Sequence, residues 1–296
     1  MLSNQFKALN GTPEYYRDEY NSFTVTNYWC IFAYLLDALP ISSICEIGSD
    51  RGDMSTQLIR EMKSRSYDLH IVDPVAKEGL DEFAGQNIHI HRETSLSFLE
   101  REGRCDLYLI DGDHNYWTVS REIQSILNRR GADTPLILMM HDTSWPCARR
   151  DSYYAVGNSV EMKPHRFNSG LHLRDEALNN GRSFPCGDVF AWGEEYGGIR
   201  NGVLTAVEDS ELIDRDKWWS VSIPSFYGLS IFVEVKPLTP TQVDKLQILH
   251  DAIELLKPLL AIHEANRLRL LQGLTETQGH RDKLLGKISR LTGGNE

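Results

Sequence analysis

The chain has 296 residues, of which 41% are hydrophobic and 25% charged, and its formal net charge at pH 7 is −11. This composition is typical of a globular protein large enough for one α/β domain with an extension, and no apolar run is long enough to span a membrane. The acidic balance argues against broad nucleic-acid binding, which needs a basic surface. Because the N-terminus lacks the basic and apolar regions of a secretory signal, we expect a cytoplasmic protein.

Strands and helices are predicted to alternate after an N-terminal helical segment, residues 1–40, whose apolar positions in 22–38 recur at helical spacing and end before Pro40. The predicted strands are 41–47, 69–72, 88–91, 105–110 and 135–140, and the predicted helices between them are 55–63, 95–101 and 117–129. Five such strands indicate a parallel sheet, which binds its ligands at the carboxyl ends of the strands.

Residues 144–200 interrupt this alternation and are predicted to be an insertion over the substrate site. Its aromatic and basic residues are candidates for lining an acceptor site: Trp145, Arg149, Arg150, Tyr153 and Tyr154. Two further strands, 218–223 and 229–235, are predicted to form a hairpin that completes the sheet. Residues 41–236 are therefore predicted to be one domain.

Residues 237–296 are predicted to be a helical extension. Leucine and isoleucine residues there have heptad spacing, at Leu246, Leu249, Ile253, Leu256 and Leu260. We expect a kink at Pro258 and a looser chain at Gly273 and Gly279. The spacing is equally consistent with self-association and with packing onto the domain.

Glycines and acids follow the first two predicted strands. Gly48 and Gly52 lie between the strand that contains Glu46 and a helix, and Asp73 ends the second strand. Two glycines permit a tight turn and close approach to a ligand, and a carboxylate can accept both hydroxyls of a ribose. A dinucleotide site has three glycines in the pattern Gly-x-Gly-x-x-Gly, so the spacing Gly-x-x-x-Gly disfavours a nicotinamide-dependent oxidoreductase.

This pattern resembles the motifs of class I S-adenosylmethionine-dependent methyltransferases. The resemblance implies a Rossmann-like α/β fold with a mainly parallel seven-stranded sheet and helices on both faces. It also implies a set of residues that bind S-adenosylmethionine: Glu46, Gly48, Gly52, Ser55, Asp73, Ser95 and Asp111.

Acids and histidines end the fourth and fifth strands, as Asp111-Gly112-Asp113-His114 and His141-Asp142. These sequences resemble the sugar and natural-product O-methyltransferases of the macrocin and novobiocin type, methyltransferase family 24, over roughly residues 41–143. In the metal-assisted members, carboxylates at these strand ends hold a divalent ion, which implies Asp111 and Asp142 as ligands. Oxygen ligands favour Mg²⁺, whereas His141 as the adjacent ligand favours a softer ion or no metal.

The same resemblance implies a general base at Asp113 or His114, since related enzymes place the base two or three residues after the first ligand. A histidine, with an ordinary pKa of about 6.5, is suited to proton transfer at neutral pH, so His114 is favoured and Asp113 is the alternative. His141 is the third candidate catalytic residue.

The sequence therefore predicts an O-methyltransferase that acts on a hydroxyl of a saccharide or related small molecule, with or without a divalent metal. The alternative is a non-catalytic scaffold subunit of the same fold that docks a glycan-assembly partner through its C-terminal helix. The expected partner is a small-molecule or glycan acceptor, joined by a second copy of the chain if the heptad spacing reflects self-association.

Overall fold

The computed structural model describes residues 25–101, 104–129, 131, 133–154, 162–167, 169–173, 175–180 and 191–292. Of the predicted N-terminal helical segment, residues 1–24 lie outside the described residues. The described part begins with a 3-10 turn, Val25–Tyr28, which leads into helix α1, Trp29–Ala38. This helix ends before Pro40, as the sequence predicts, because the residue before a proline is restricted to extended backbone and Leu39 is extended.

The alternating part of the chain forms five strands and three helices close to the predicted ranges. The strands are β1 Ser43–Ile47, β2 Asp68–Val72, β3 Ile88–His91, β4 Leu107–Ile110 and β5 Ile137–His141. The helices are α2 Asp53–Glu61, α3 Ser95–Arg101 and α4 Tyr116–Leu127, with a 3-10 turn at Leu80–Phe83. Helix α4 begins after Asn115, whose side chain accepts a hydrogen bond from the main-chain N–H of Thr118.

The insertion contains short strands that its irregular sequence did not predict. They are β6 Ser152–Tyr153, β7 His165–Arg166, β8 Ser169–His172, β9 Asp175–Asn180 and β10 Ala191–Gly193. Strands β6, β10 and β7 form one small sheet, and β8 and β9 form another. The buried Arg150 guanidinium holds this region together by donating to the carbonyl oxygens of Gly193, Glu194 and Glu176.

After the insertion come α5 Val203–Glu208, a 3-10 turn Glu211–Ile213, β11 Trp218–Ile223, β12 Leu229–Glu234 and α6 Pro240–Thr292. The central sheet has the order β11-β12-β5-β4-β1-β2-β3. Strand β12 is antiparallel to β5 and β11, whereas the pairs among β1 to β5 are parallel. The predicted mainly parallel seven-stranded sheet and its closing hairpin are confirmed.

The sheet has a hydrophobic core on each face. Residues from α1 and the first part of α6, among them Phe32, Leu246 and Ile253, pack on one face. Residues from α3, α4 and α5, among them Phe98 and Ile123, pack on the other. The predicted helices on both faces are therefore also confirmed.

Helix α6 is 53 residues long and continues through Pro258, Gly273 and Gly279. The expectation of a looser chain at the two glycines is wrong, because both lie inside the helix. Residues Leu246, Leu249 and Ile253 pack onto the domain. None of the helices in the described residues combines the length and apolar character needed to cross a membrane.

Candidate active site

The loops that follow β1 and β4 touch each other at the carboxyl edge of the sheet. The main-chain N–H of Asp111 donates to the Ile47 carbonyl at 2.8 Å, and that of Gly48 donates to the Val72 carbonyl at 2.9 Å. A Cβ added to Gly48 would lie 2.2 Å from the carbonyl oxygen of Asp111, and the φ of Gly48 is +84°. Glycine is therefore required at this position by the neighbouring loop as well as by its own backbone conformation.

Asp73 fixes the loop after β1 from the end of β2. One of its carboxylate oxygens accepts from the main-chain N–H groups of Ser49 at 2.7 Å and Asp50 at 3.1 Å. The other accepts from the N–H of Val75 at 2.8 Å. Gly52, with φ +73°, then leads directly into α2. Asp73 therefore fixes the conformation of the loop after β1. The same carboxylate is the group predicted to bind the ribose hydroxyls.

Glu46 and Ser55, both predicted cofactor residues, are buried and bonded to each other. The Ser55 hydroxyl donates to the Glu46 carboxyl at 2.6 Å. Burial raises the pKa of Glu46 to about 8. At neutral pH this carboxyl is mostly protonated, so the pair connects β1 to α2 without a buried charge.

Ser95 is half-buried at the first position of α3. Burial raises the pKa of the Glu122 carboxyl to about 8, and the Ser95 hydroxyl opposes part of that rise. The structure therefore places Ser95 beside a fully buried acid of α4.

Four of the predicted residues form one acid-histidine cluster: Asp111, His114, His141 and Asp142. The His141 Nδ1 atom lies 2.8 Å from Asp111 Oδ1 and 3.2 Å from Asp142 Oδ2. The same Asp142 oxygen lies 3.3 Å from Nδ1 of His114. Asp142 has a left-handed φ of +57°, a conformation that non-glycine residues adopt mainly under structural constraint. The two strand ends are thus joined by side chains 30 residues apart.

His141 bonds acceptors through both ring nitrogens. Its Nε2 lies 2.8 Å from the carbonyl oxygen of Phe226, which can only accept, so this nitrogen carries a proton. Its Nδ1 faces two carboxylates and carries the second. Burial lowers the pKa of His141, but Asp111 and Asp142 outweigh burial and raise the pKa well above its ordinary value. His141 is therefore a buried cation and not a proton acceptor in this state.

The two histidines next to Asp142 favour the ionised form of its carboxyl. Burial raises the pKa of Asp142, but His114 and His141 outweigh that effect and lower it below the ordinary value. The Asp111 side chain is 20% exposed, against 10% for Asp142. Asp111 is therefore the acid of the cluster that a bound molecule can reach most easily.

Asp113 faces the start of helix α4 instead of the cluster. Its carboxylate accepts from Asn115 at 2.5 Å and from the Thr118 hydroxyl at 3.0 Å. Burial raises the pKa of Asp113. Since these contacts are local and His114 is the one that meets Asp142, the two candidate bases have different surroundings.

A strained turn between β11 and β12 supplies a site residue that the sequence did not reveal. Phe226, Tyr227 and Gly228 have φ values of 45°, 67° and 91°. Glu264 of α6 accepts from the main-chain N–H of Phe226 at 2.8 Å and of Tyr227 at 3.0 Å. The turn thereby directs the Phe226 carbonyl toward His141.

Two further residues stabilise that turn. Arg267 pairs with Glu264 at 2.6 Å, and its guanidinium lies 4.5 Å from the centroid of the Tyr227 ring. The Tyr28 hydroxyl donates to the Ser225 carbonyl, and the Tyr28 ring meets His141 edge-on at 6.1 Å. The only sequence signal for Glu264 and Arg267 is that they follow the heptad positions Leu246 to Leu260 on α6, at the point where polar residues replace aliphatic ones.

The candidate acceptor residues separate into two groups. Arg150 and Tyr153 are fully buried, so the hypothesis that they line an acceptor site is not supported. Tyr154 is 47% exposed, with its ring 5.5 Å from that of His114. Trp145 lines a cavity of about 520 Å³ between the insertion and α6, together with residues such as His172, Leu268 and Arg269.

Asp111, His141 and Asp142 can also meet around a metal ion, because their ligand atoms all lie within 4.8 Å of one another. The Nε2–H of His141 donates to a main-chain carbonyl, as metal-binding histidines do. A nitrogen beside two carboxylates suits a softer divalent ion better than Mg²⁺, which prefers oxygen ligands. The residues therefore fit an ion that would replace the proton on Nδ1.

Both motif regions fall within one family match. Residues 45–143 match a family model described as a methyltransferase domain. The matched residues include the loop after β1 and the acid-histidine cluster, so the predicted resemblance to methyltransferases is confirmed over this part of the chain. The macrocin and novobiocin subgroup stays a prediction.

Other comparisons are more distant. No curated protein sequence matches the chain. An SAH-bound methyltransferase from Podospora anserina is 12% identical, covers 78% of this chain and 86% of its own, and has a TM-score of 0.43. A putative caffeoyl-CoA O-methyltransferase from Staphylococcus aureus is 12% identical, covers 79% and 97%, and has a TM-score of 0.44. The N-methyltransferase NodS from Bradyrhizobium japonicum is 12% identical, covers 72% and 95%, and has a TM-score of 0.39.

Proposed function

We propose that the protein transfers a methyl group from S-adenosylmethionine to a hydroxyl oxygen of a saccharide or related small molecule. The observation that supports this most directly is the contact between the Gly48 loop and Asp111 at the carboxyl edge of the sheet. It puts the loop expected to hold the cofactor next to the acid-histidine cluster, within the residues that match the methyltransferase family model.

For the cofactor, the proposed contacts come from Gly48, Gly52, Asp73, Ser95 and Asp111, and the buried pair of Glu46 and Ser55 would hold the loop that makes them. S-adenosylmethionine would supply an electrophilic methyl group. The Asp73 carboxylate has about four acceptor positions and already accepts from the main-chain N–H groups of Ser49, Asp50 and Val75 and from the Ser49 hydroxyl at 3.2 Å, so a ribose hydroxyl would take the place of the Ser49 hydroxyl, the longest of these bonds. The two carboxylates of Asp111 and Asp142 outnumber the single positive charge of His141. The negative charge that remains suits a positively charged sulfonium ligand.

For the proton, we assign the base role to His114. Asp142, 3.3 Å from its Nδ1, orients the ring and would stabilise the imidazolium that forms when His114 accepts the proton of the acceptor hydroxyl. Asp113 is bonded to Asn115 and Thr118, which favours a structural role for it. His141, doubly protonated as long as no ion is bound, would hold Asp111 and Asp142 in place.

A divalent ion is the second part of the proposal. Asp111, Asp142 and Nδ1 of His141 would hold it. Such an ion would supply a Lewis acid next to the acceptor oxygen. Methyl transfer that requires Mn²⁺ or Zn²⁺ and stops with a chelator would support this part, and full activity in excess chelator would contradict it.

The decisive measurement is calorimetry with S-adenosylmethionine and its demethylated product, followed by a transfer assay with methyl-labelled cofactor over a panel of glycans and amines. We expect binding, and label in a hydroxyl-bearing acceptor. Label in amines alone would overturn the choice of oxygen. Absence of cofactor binding would overturn the proposed methyltransferase activity and favour the alternative of a non-catalytic scaffold.

Variants test the base. We expect His114→Gln to lower the transfer rate about 10²- to 10⁴-fold while cofactor binding persists. His250→Gln changes an outlying histidine of α6 in the same way and should keep the wild-type rate. Wild-type turnover in His114→Gln would remove His114 from the mechanism.

A further inference from the structure

Helix α6 has a second apolar side, whose side chains are largely exposed. Leu246, Leu249 and Ile253 are buried in the core. Because each residue rotates the helix by about 100°, another set lies on the other side. We call the positions on this side the outer seam, and six of its side chains are 51–81% exposed: Ile248, Leu255, Leu259, Leu270, Leu284 and Ile288.

The outer seam has the spacing of a coiled coil. From Ile248 to Ile288 the seam has twelve positions, which follow one another in steps of three and four residues. Nine of them are aliphatic, and the other three are Asn266, Thr277 and Arg281. One additional step of four lies between Ile262 and Leu270. Such a regular seam over about 60 Å of helix is typical of a surface that packs against another helix.

Among the described residues, the last part of α6 makes few contacts with the domain, one of them between the Glu276 carboxylate and Nε2 of His172 at 3.7 Å. Between Gly273 and Ile288, every residue except Thr275 is exposed. Three glycines, Gly273, Gly279 and Gly286, weaken the helix further. A short helix of this kind in water depends on burying an apolar face, so the segment needs a partner helix.

We propose that this partner is a second copy of the chain, bound antiparallel about a two-fold axis at Leu270. In this arrangement Leu255 meets Leu284 of the second copy, and Ala252 meets Ile288, because the two residue numbers of each pair add up to about twice 270. The C-terminal part of each helix then covers the exposed side of the N-terminal part of the other.

The charges agree with the antiparallel direction. Exposed acids lie near the start of α6, at Asp244, Asp251 and Glu254, whereas one exposed acid, Asp282, and four exposed bases lie near its end, the bases at Arg281, Lys283, Lys287 and Arg290. Antiparallel pairing brings these opposite charges together. Parallel pairing would place the basic ends side by side and set Arg281 against its own copy, which is unfavourable.

Sedimentation equilibrium of the full chain tests the dimer. We expect a mass twice the 33.8 kDa of one chain. Leu255→Glu should raise the dissociation constant at least about a hundredfold, because the symmetric contact is lost twice. Ala261→Glu adds the same charge at an exposed position of α6 outside the seam and should leave the dimer intact. A wild-type monomer, or equal effects of both variants, would overturn the proposal.

Cysteine cross-linking tests the direction, in a background where Cys30 and Cys186 are serine. Leu255 and Leu284 are about 44 Å apart along one helix. We expect neither Leu255→Cys nor Leu284→Cys alone to form a disulfide dimer, and a mixture of the two to form one. Disulfide dimers of Leu255→Cys alone would show a parallel arrangement and overturn the proposal.

Discussion

Removal of the Glu264 carboxylate by Glu264→Ala should destabilise the protein strongly. The Glu264 side chain is 8% exposed and accepts from two main-chain N–H groups, of Phe226 and Tyr227, and from Arg267. Each unsatisfied buried donor costs about 1–3 kcal/mol, and breaking a buried ion pair costs about 3–5 kcal/mol. Since these costs overlap, we expect the free energy of unfolding to fall by about 3–5 kcal/mol.

Urea denaturation followed by circular dichroism measures this change. Glu194→Ala is the control, because Glu194 also pairs with a base, Arg166, but on the exposed surface of the insertion. An exposed pair is worth about 0.5 kcal/mol or less. If Glu264→Ala lost no more than Glu194→Ala, the turn at Phe226 would not depend on α6, and the support that we assign to the His141 contact would be wrong.

Two further predictions concern the sheet edge and its surroundings. Gly48→Ala should cost at least about 2 kcal/mol and abolish S-adenosylmethionine binding, because φ is +84° and the new Cβ would meet the Asp111 main chain at 2.2 Å. Gly279→Ala, in open space within α6, should be neutral or stabilising, and calorimetry showing normal binding by Gly48→Ala would refute the steric argument. Glu122→Gln tests the buried acid whose folded pKa is raised from 4.5 to about 8. A buried acid whose pKa is raised by folding makes the folded state less stable as pH rises between these two values. The free energy of unfolding of the wild type should therefore fall relative to that of Glu122→Gln from pH 5 to pH 8. Parallel stability curves for the two proteins across that range would contradict the burial effect.

Local sequence patterns predicted the sheet and one edge of the site well. Asp111 follows β4 and His141 ends the neighbouring strand β5, and parallel strands bring their carboxyl ends to one edge, so the contact of the two residues follows from topology. Each of these strands is a short apolar run bounded by polar residues. The residues within a few positions of Asp111 and His141 were therefore enough to predict both strands and the contact at their ends.

The remaining part of the site depends on contacts between distant segments. Phe226 follows His141 by 85 residues, and the turn that directs its carbonyl is fixed by Glu264, 38 residues later. No periodicity connects these positions. The glycines of α6 were misleading for a related reason, since a propensity cost of about 1 kcal/mol each is small beside the packing of a long helix.

Helix α6 connects the candidate site with the surface that we assign to the second copy. Glu264 holds the turn beside His141, and Gln272 accepts from the main-chain N–H of Leu173 in the insertion at 3.1 Å. Leu270, at the proposed two-fold axis, lies between these two contacts, within about two helical turns of each. Since a helix transmits displacement along its axis as a rigid element, loss of the dimer would act on the turn and on the insertion together. Leu255→Glu should therefore weaken methyl transfer at protein concentrations where the wild type is dimeric, whereas Ala261→Glu should not.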